Sequence, residues 1–177
     1  MTDDIALEAN RRQELSDELD RLEESAMCSS QAQFEMTKHW RHVNYWLGVP
    51  ASLLAAGAGG TALAATAGRF VAGVLALAAA ALGAVLTTVN ASHHMNQASS
   101  AGNAYLEIQT AARQYRLIDL PTAALGDARQ QLDELTSRRD EQNKTAEPPS
   151  KSATKKAQEN IKSGGQNYAV DRRKENR

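Results

Sequence analysis

Three observations predict an all-α membrane protein: a two-helix transmembrane hairpin flanked by long cytoplasmic helices. Two long runs hold no Asp, Glu, Lys or Arg, namely the 27 positions 42–68 and the 37 positions 70–106, with Arg69 between them. Aromatic and basic side chains gather at the start of the first run. The polar arms on either side carry apolar residues at helical spacing. The chain has 177 residues but only two Trp, two Phe and four Tyr, too few large side chains for an ordinary soluble core of that length.

Residues 1–44 form the first arm. Leu15, Leu19, Leu22 and Ala26 recur at four-three-four spacing, and Met36, Trp40, Val43 and Leu47 return to that phase. Ser29 and Gln33 are expected to interrupt the seam. The arm is therefore predicted as a short amphipathic helix that packs on the arm after the second span, not as a sustained coiled coil. Ten acidic residues in these 44 positions argue against a secretory signal peptide.

Residues 45–68 and 70–90 are each long enough to cross a bilayer, which needs about 20 helical residues. The second span carries Phe70, Val71, Val74, Leu75, Leu77, Leu82, Val85, Leu86 and Val89 and inserts readily on a transfer scale. The first is rich in Ala and Gly and contains Pro50, so it is expected to enter together with its partner across a tight turn at Arg69. The alternative is a soluble Ala-rich helical hairpin buried against the arms. Charge-free runs of this length, with Lys38, Trp40, Arg41, Tyr45 and Trp46 as interfacial anchors at one boundary, favour the bilayer.

Two crossings place both arms on one side. Five Lys and Arg precede the spans, one lies between them and fourteen follow, so the positive-inside bias makes both termini cytoplasmic. Small residues recur every fourth position: Ser52, Ala56, Gly60, Ala64 and Gly68 on the first span, Ala72, Ala76, Ala80, Ala84 and Thr88 on the second. Such stripes permit close helix packing, although Ala-rich helices also generate them by chance. Two helices enclose no water path, so a pore requires a homo-oligomer. Ser52, Thr61, Thr66, Thr87 and Thr88 are the polar candidates to line one, against the ordinary alternative that each bonds back to its own helix.

Residues 91–145 form the second arm. Tyr105, Ile108, Ala112 and Tyr115 keep helical register up to Asp119-Leu120-Pro121-Thr122, where Pro121 disfavours helix at the preceding residue and predicts a break. Leu125, Ala128, Leu132 and Leu135 restart the stripe, which fades near Asn143, and Glu147-Pro148-Pro149-Ser150 reads as a linker. Residues 146–177 are a basic tail, helical from Ser150 to Ile161 and terminated by Gly164-Gly165. Near a membrane it attracts anionic lipid; otherwise it is a solvated tail.

Several functions are disfavoured. A net charge of -1 gives no general attraction to nucleic acid. The single cysteine, Cys28, forms no internal disulfide and no Cys-based zinc site. No ionisable residue lies inside either span, which argues against a transporter with a proton relay. His39, His42, His93 and His94 fall near one membrane face, where a metal is conceivable but interfacial hydrogen bonding is the ordinary role. No catalytic motif or phosphate loop is present. We therefore expect no enzyme activity, no cofactor and no bound metal.

The chain resembles a known family. Phe34-Glu35-Met36-Thr37-Lys38-His39-Trp40-Arg41-His42 leads into the paired spans, and Tyr105-Leu106-Glu107 and Ala112-Arg113 follow them. Asp119-Leu120, Leu132-Asp133-Glu134-Leu135, Glu141-Gln142-Asn143, residues 157–161, Gly165, Tyr168 and Asp171 complete the succession. It resembles the SLATT domain, a bacterial two-transmembrane effector of nucleotide-second-messenger defence systems, over residues 20–171. The resemblance implies assembly in the bacterial inner membrane, permeabilisation on infection, and a nucleotidyltransferase or nucleotide-sensing partner protein. It also implies that the basic tail belongs to the domain. The alternative is a membrane-anchored helical scaffold that recruits a cytoplasmic partner without conductance.

Overall fold

Helix α1 (Thr2–Leu63) carries the first arm and the first apolar run as one continuous 62-residue helix with Pro50 inside it. Pro50 withdraws one backbone donor, yet its fixed φ is compatible with helix and the chain continues through it. The structure, a computed structural model, describes residues 2–63, 68–166 and 168. Among these residues there is no strand. Helix α2 (Gly68–Val89), α3 (Ala91–Gln114), a π-helical turn (Tyr115–Asp119), α4 (Leu125–Thr145) and α5 (Lys151–Lys162) complete the order. Arg69, where a tight turn is expected, lies within α2. Gly68 and Arg69 already belong to α2, because a helix's first turn has no preceding carbonyl to satisfy and tolerates either residue. The connection falls in residues 64–67, outside the described residues, as does the tail from 169.

The chain divides into two compact units, residues 1–36 with 98–177, and Thr37–Gln97. In the first, Leu19, Leu22 and Ala26 of α1 pack with Ile108 and Ala112 of α3, with Leu120, and with Ala128, Leu132 and Leu135 of α4. Ala101, Ala153 and Ala157 are also buried. Alanine at so many contact positions lets helix axes approach closely, which is how a core with few aromatics is filled.

The seam of α1 is not broken where polar residues enter it. Ser30 and Gln33, 1% and 2% exposed, continue the buried phase between Ala26 and Met36. The Ser30 hydroxyl donates to the Gly102 carbonyl at 2.9 Å, and the Gln33 amide donates to the Glu147 carbonyl at 2.8 Å. A buried polar group is tolerated when it is hydrogen-bonded, so Gln33 ties the linker after α4 to α1 where an interruption was expected. Ser29, also named as an interruption, is only half-buried beside this phase.

The break before Pro121 takes a form that helical periodicity does not foresee. The Leu120 amide donates to the Tyr115 carbonyl at 2.9 Å, the five-residue reach of a π-turn. This widening carries Leu120 into the core at 3% exposure and leaves Leu117 and Ile118 at 59% and 68%. The Arg12 guanidinium then donates to the Leu120 and Ala123 carbonyls that the break frees. After α4, the Ser150 hydroxyl accepts from the Ala153 amide and caps α5. Gly164, at φ 82°, follows its last turn in a backbone conformation suited to glycine.

In the second unit, residues 37–63 of α1 lie against α2. A Cβ placed on Gly57 would stand 3.7 Å from Leu75 Cδ1, and one on Gly48 would stand 3.8 Å from Leu86 Cδ2. Most of the large side chains face outward instead: Trp46 is 76% exposed, Leu53 68%, Phe70 81% and Leu77 74%. Asn90, at φ 48°, joins α2 to α3. Asparagine is one of the few residues besides glycine that adopts this left-handed conformation readily.

Candidate membrane-boundary site

One helical stretch among the described residues, within Phe70–Asp119, is long and apolar enough to cross a membrane. Only 6% of its apolar window is buried within the chain. A soluble core helix is covered by its neighbours, and this one is not. Each CH₂ left in water forgoes about 0.8 kcal/mol of burial, so such a surface calls for an apolar environment. Its polar groups are satisfied locally. The Thr87 and Thr88 hydroxyls donate to the Gly83 and Ala84 carbonyls at 2.9 and 2.8 Å, and Ser52 donates to Gly48 at 2.9 Å. These three candidates for a water path therefore have their protons held by their own helices. The Thr61 side chain and Thr66 lie outside the described residues.

Among the described residues, most members of the two small-residue stripes face away from the contact within the chain. Ser52, Ala56 and Gly60 are exposed, as are Ala76, Ala80, Ala84 and Thr88, and of the second stripe Ala72 is the member that is buried. Ala64 is outside the described residues, and Gly68 opens α2. The α1–α2 contact uses another face, through Gly48, Gly57 and Ala58 on α1 and Ala72, Leu75 and Leu86 on α2. Leucine reaching into a glycine notch makes that face the tighter of the two.

At the start of the apolar run the expected anchors divide. Lys38, Arg41, Tyr45 and Trp46 are exposed. Trp40 is half-buried, and its indole lies stacked on the His94 imidazole, with centroids 4.6 Å apart and planes 16° from parallel. His39 meets Trp40 edge-on at 5.6 Å, and His93 meets His94 edge-on at 6.0 Å. Trp40 occupies the inward phase of α1 with Met36 and Val43, which is why it packs rather than projecting as a belt residue. Its Nε1 is buried without a hydrogen-bond partner.

The elements that build this cluster are the middle of α1 and the first turn of α3, positioned by Asn90. The His93 and His94 amides donate to the Asn90 carbonyl at 2.9 and 3.3 Å. Ser92 donates to Asn44 Oδ1 at 3.3 Å. His42 Nδ1 lies 2.8 Å from the Lys38 carbonyl. A carbonyl only accepts, so that nitrogen carries the proton and Nε2 is the ring's open acceptor. Among the described residues, no three His, Cys, Asp or Glu side chains come together as a metal-binding group. Sequence reasoning placed the four histidines at one boundary but missed Asn90. Its signal was an asparagine directly after an apolar helical run.

The first unit offers a second concave surface, about 620 Å³, along α1 and α4. Arg11, Arg21 and Arg129 rim it together with Glu14, Asp17 and Glu18, over Leu15 and Leu132. The charges balance, and Arg129 and Arg21 are paired with Asp133 and Glu18. Nearby, Arg116 bridges Asp20 at 2.9 Å and Glu23 at 3.2 Å. Cys28 is exposed at its surface, and its thiol is raised above the ordinary cysteine range by partial burial and by the Glu24 carboxylate, which disfavours the reactive thiolate. No protein-family model, no curated protein and no solved structure matches the chain.

Proposed function

We propose that the chain is an oligomerising membrane effector of the kind its SLATT resemblance implies, one that permeabilises the bacterial inner membrane during antiphage defence. In this reading residues 45–68 and 70–90 form a transmembrane hairpin, both termini are cytoplasmic, and identical copies assemble laterally. A nucleotide-sensing or nucleotidyltransferase partner supplies the trigger. The observation that carries the reading is the outward display of apolar side chains along α2 and the facing part of α1. The exposed Ser52–Ala56–Gly60 and Ala76–Ala80–Ala84 stripes supply faces on which copies pack closely.

Forced expression tests it. A potential-sensitive dye should report collapse of membrane potential once the protein resists alkaline extraction from membranes. Normal potential at high levels of inserted protein rejects the proposal. The second reading, a membrane-anchored scaffold without conductance, is favoured by the well-packed helical core of the first unit. Removal of residues 98–177 separates the two: a scaffold loses all function, whereas a pore retains leakage or loses its regulation.

A further inference from the structure

We infer that copies of the chain join head to tail through their first units: Leu117 and Ile118, at the end of α3 in one copy, enter the hollow between α1 and α4 of the next. This deepens the assembly proposed above by naming the surfaces that meet, and it rests on that reading for the common orientation of the copies.

The projecting pair is a product of the π-turn. Leu120 takes the core position, and Leu117 and Ile118 are left side by side and exposed. Gln114, one turn before them, is exposed as well, so the pair stands on the outer edge of α3. A single exposed leucine is ordinary, but a widened turn is rare and occurs frequently where a helix serves a function. The hollow belongs to the other two helices. Leu15 of α1, with Leu125 and Leu132 of α4, floors a space of about 620 Å³. Gly126 opens its α4 wall, and no atom stands within 4 Å of a Cβ placed there. Helices α1, α3 and α4 share one core, so the pair and the hollow lie on different edges of it.

The two surfaces are also level. Arg116 bridges Asp20 at 2.9 Å, and the Leu120 carbonyl accepts from Arg12, which places residues 117 and 118 between the levels of Asp20 and Arg12 on α1. The hollow is lined by α1 from Arg11 to Arg21. A rotation therefore brings one copy's pair to the next copy's hollow without a shift along the helices. Copies inserted in the same sense in one bilayer are related by such a rotation, and contact between unlike surfaces closes into a ring. Charge fixes the direction of entry. On the rim, Glu14 and Asp17 accept from the Asn10 and Gln13 amides, Glu18 pairs with Arg21, and Arg129 pairs with Asp133. Glu8, one turn before Arg11, is taken by Arg12 at 3.6 Å. Arg11 is thus the rim cation with no ion pair to a described residue, and the exposed Asp119 beside Ile118 is the carboxylate that meets it from the neighbouring copy. An exposed pair of this kind aligns the encounter, and the apolar contact holds it.

The experiment uses two differently tagged full chains, co-expressed, both carrying Cys28→Ser. One adds Ile118→Cys and the other Gly126→Cys; both positions are exposed, so the unit folds with either. Membranes are oxidised with copper phenanthroline before detergent is added, and disulfide-linked pairs are sorted by tag. The mixed pair should exceed each like-with-like pair at least about fivefold, because unlike surfaces meet and like pairs form by collision alone. Arg11→Glu in the Gly126→Cys chain should lower the mixed yield at least about twofold, and Asp119→Arg in its partner should restore it. Chance proportions, dominance of a like pair, or a mixed yield indifferent to the charge exchange each overturn the inference. Alkaline extraction of the same membranes separates the two failures. A chain that is retained but gives no excess of the mixed pair rejects this interface alone, and a chain that is extracted rejects the membrane reading and this inference with it.

Discussion

Gly102 sits where α3 passes the Phe34 ring, and a Cβ there would fall 2.8 Å from Cε1 and 3.0 Å from Cδ1. The ring must move to admit even a methyl group. Gly102→Ala is therefore expected to destabilise the first unit by about 1–3 kcal/mol in thermal unfolding, with part of that loss recovered by adding Phe34→Leu. Tyr105 and Tyr115 give the same unit an alkaline limit. Burial raises Tyr105 above the ordinary phenol value, against a weaker opposing pull from Arg139. Burial raises Tyr115 as well, with Asp119 and Asp127 adding to the effect and Arg12 opposing it. A phenol raised on folding contributes stability that is fully present below its unfolded value of about 10 and lost as pH climbs through the folded one. Unfolding free energy should therefore fall above about pH 10, and Tyr105→Phe should flatten that fall. The same substitution should lower stability near neutrality, because the Tyr105 hydroxyl donates to Asn143 at 2.7 Å.

The π-turn between α3 and α4 decides which of two apolar residues enters the core. An uninterrupted α-helix would carry the inward phase of Ala112 and Tyr115 to Ile118 or Asp119, and the wider turn carries it to Leu120. Leu120→Ala should accordingly cost about 2–5 kcal/mol and Ile118→Ala no more than about 0.5, read from thermal unfolding of the full chain in detergent. Equal losses would mean that the turn is α-helical in solution. The position of the break was legible in Pro121, since the clash of its ring with the preceding residue is a local effect. The turn type was not, because it depends on a core into which Leu120 fits and on Arg12 reaching carbonyls more than a hundred residues away in sequence. The two ends of α5 show the opposite case: Ser150 before its first turn and Gly164 after its last act on their own backbone, and both were readable as they stand.

Separate faces of the apolar helices serve contact within the chain and exposure to the surroundings. Gly60 has no atom within 4 Å of an added Cβ, and Ala80 is exposed. Gly60→Leu and Ala80→Leu therefore point away from the packing of α1 on α2, and under the proposed assembly they act on contacts between copies. Each should weaken association by about 1–2 kcal/mol, seen as a smaller particle in detergent at an unchanged melting temperature. Gly57→Leu, which adds bulk toward Leu75, should lower the melting temperature instead. An unchanged particle size in both stripe variants would make the stripes an accident of alanine content.

Helical content and an apolar length sufficient for a bilayer followed from the amino-acid order alone. Spacing of apolar residues and absence of charge are properties of a local stretch, and they hold whatever the stretch later packs against. Three-dimensional packing settled the rest: that Ser30 and Gln33 join the buried seam, that Trp40 stacks on His94, and that Gly48 and Gly57 take the leucines of α2 while Ser52, Ala56 and Gly60 stay exposed. Each of these depends on a partner remote in sequence, the Glu147 carbonyl lying 114 residues from Gln33. A polar side chain reads as an interruption until the group that satisfies it is in place.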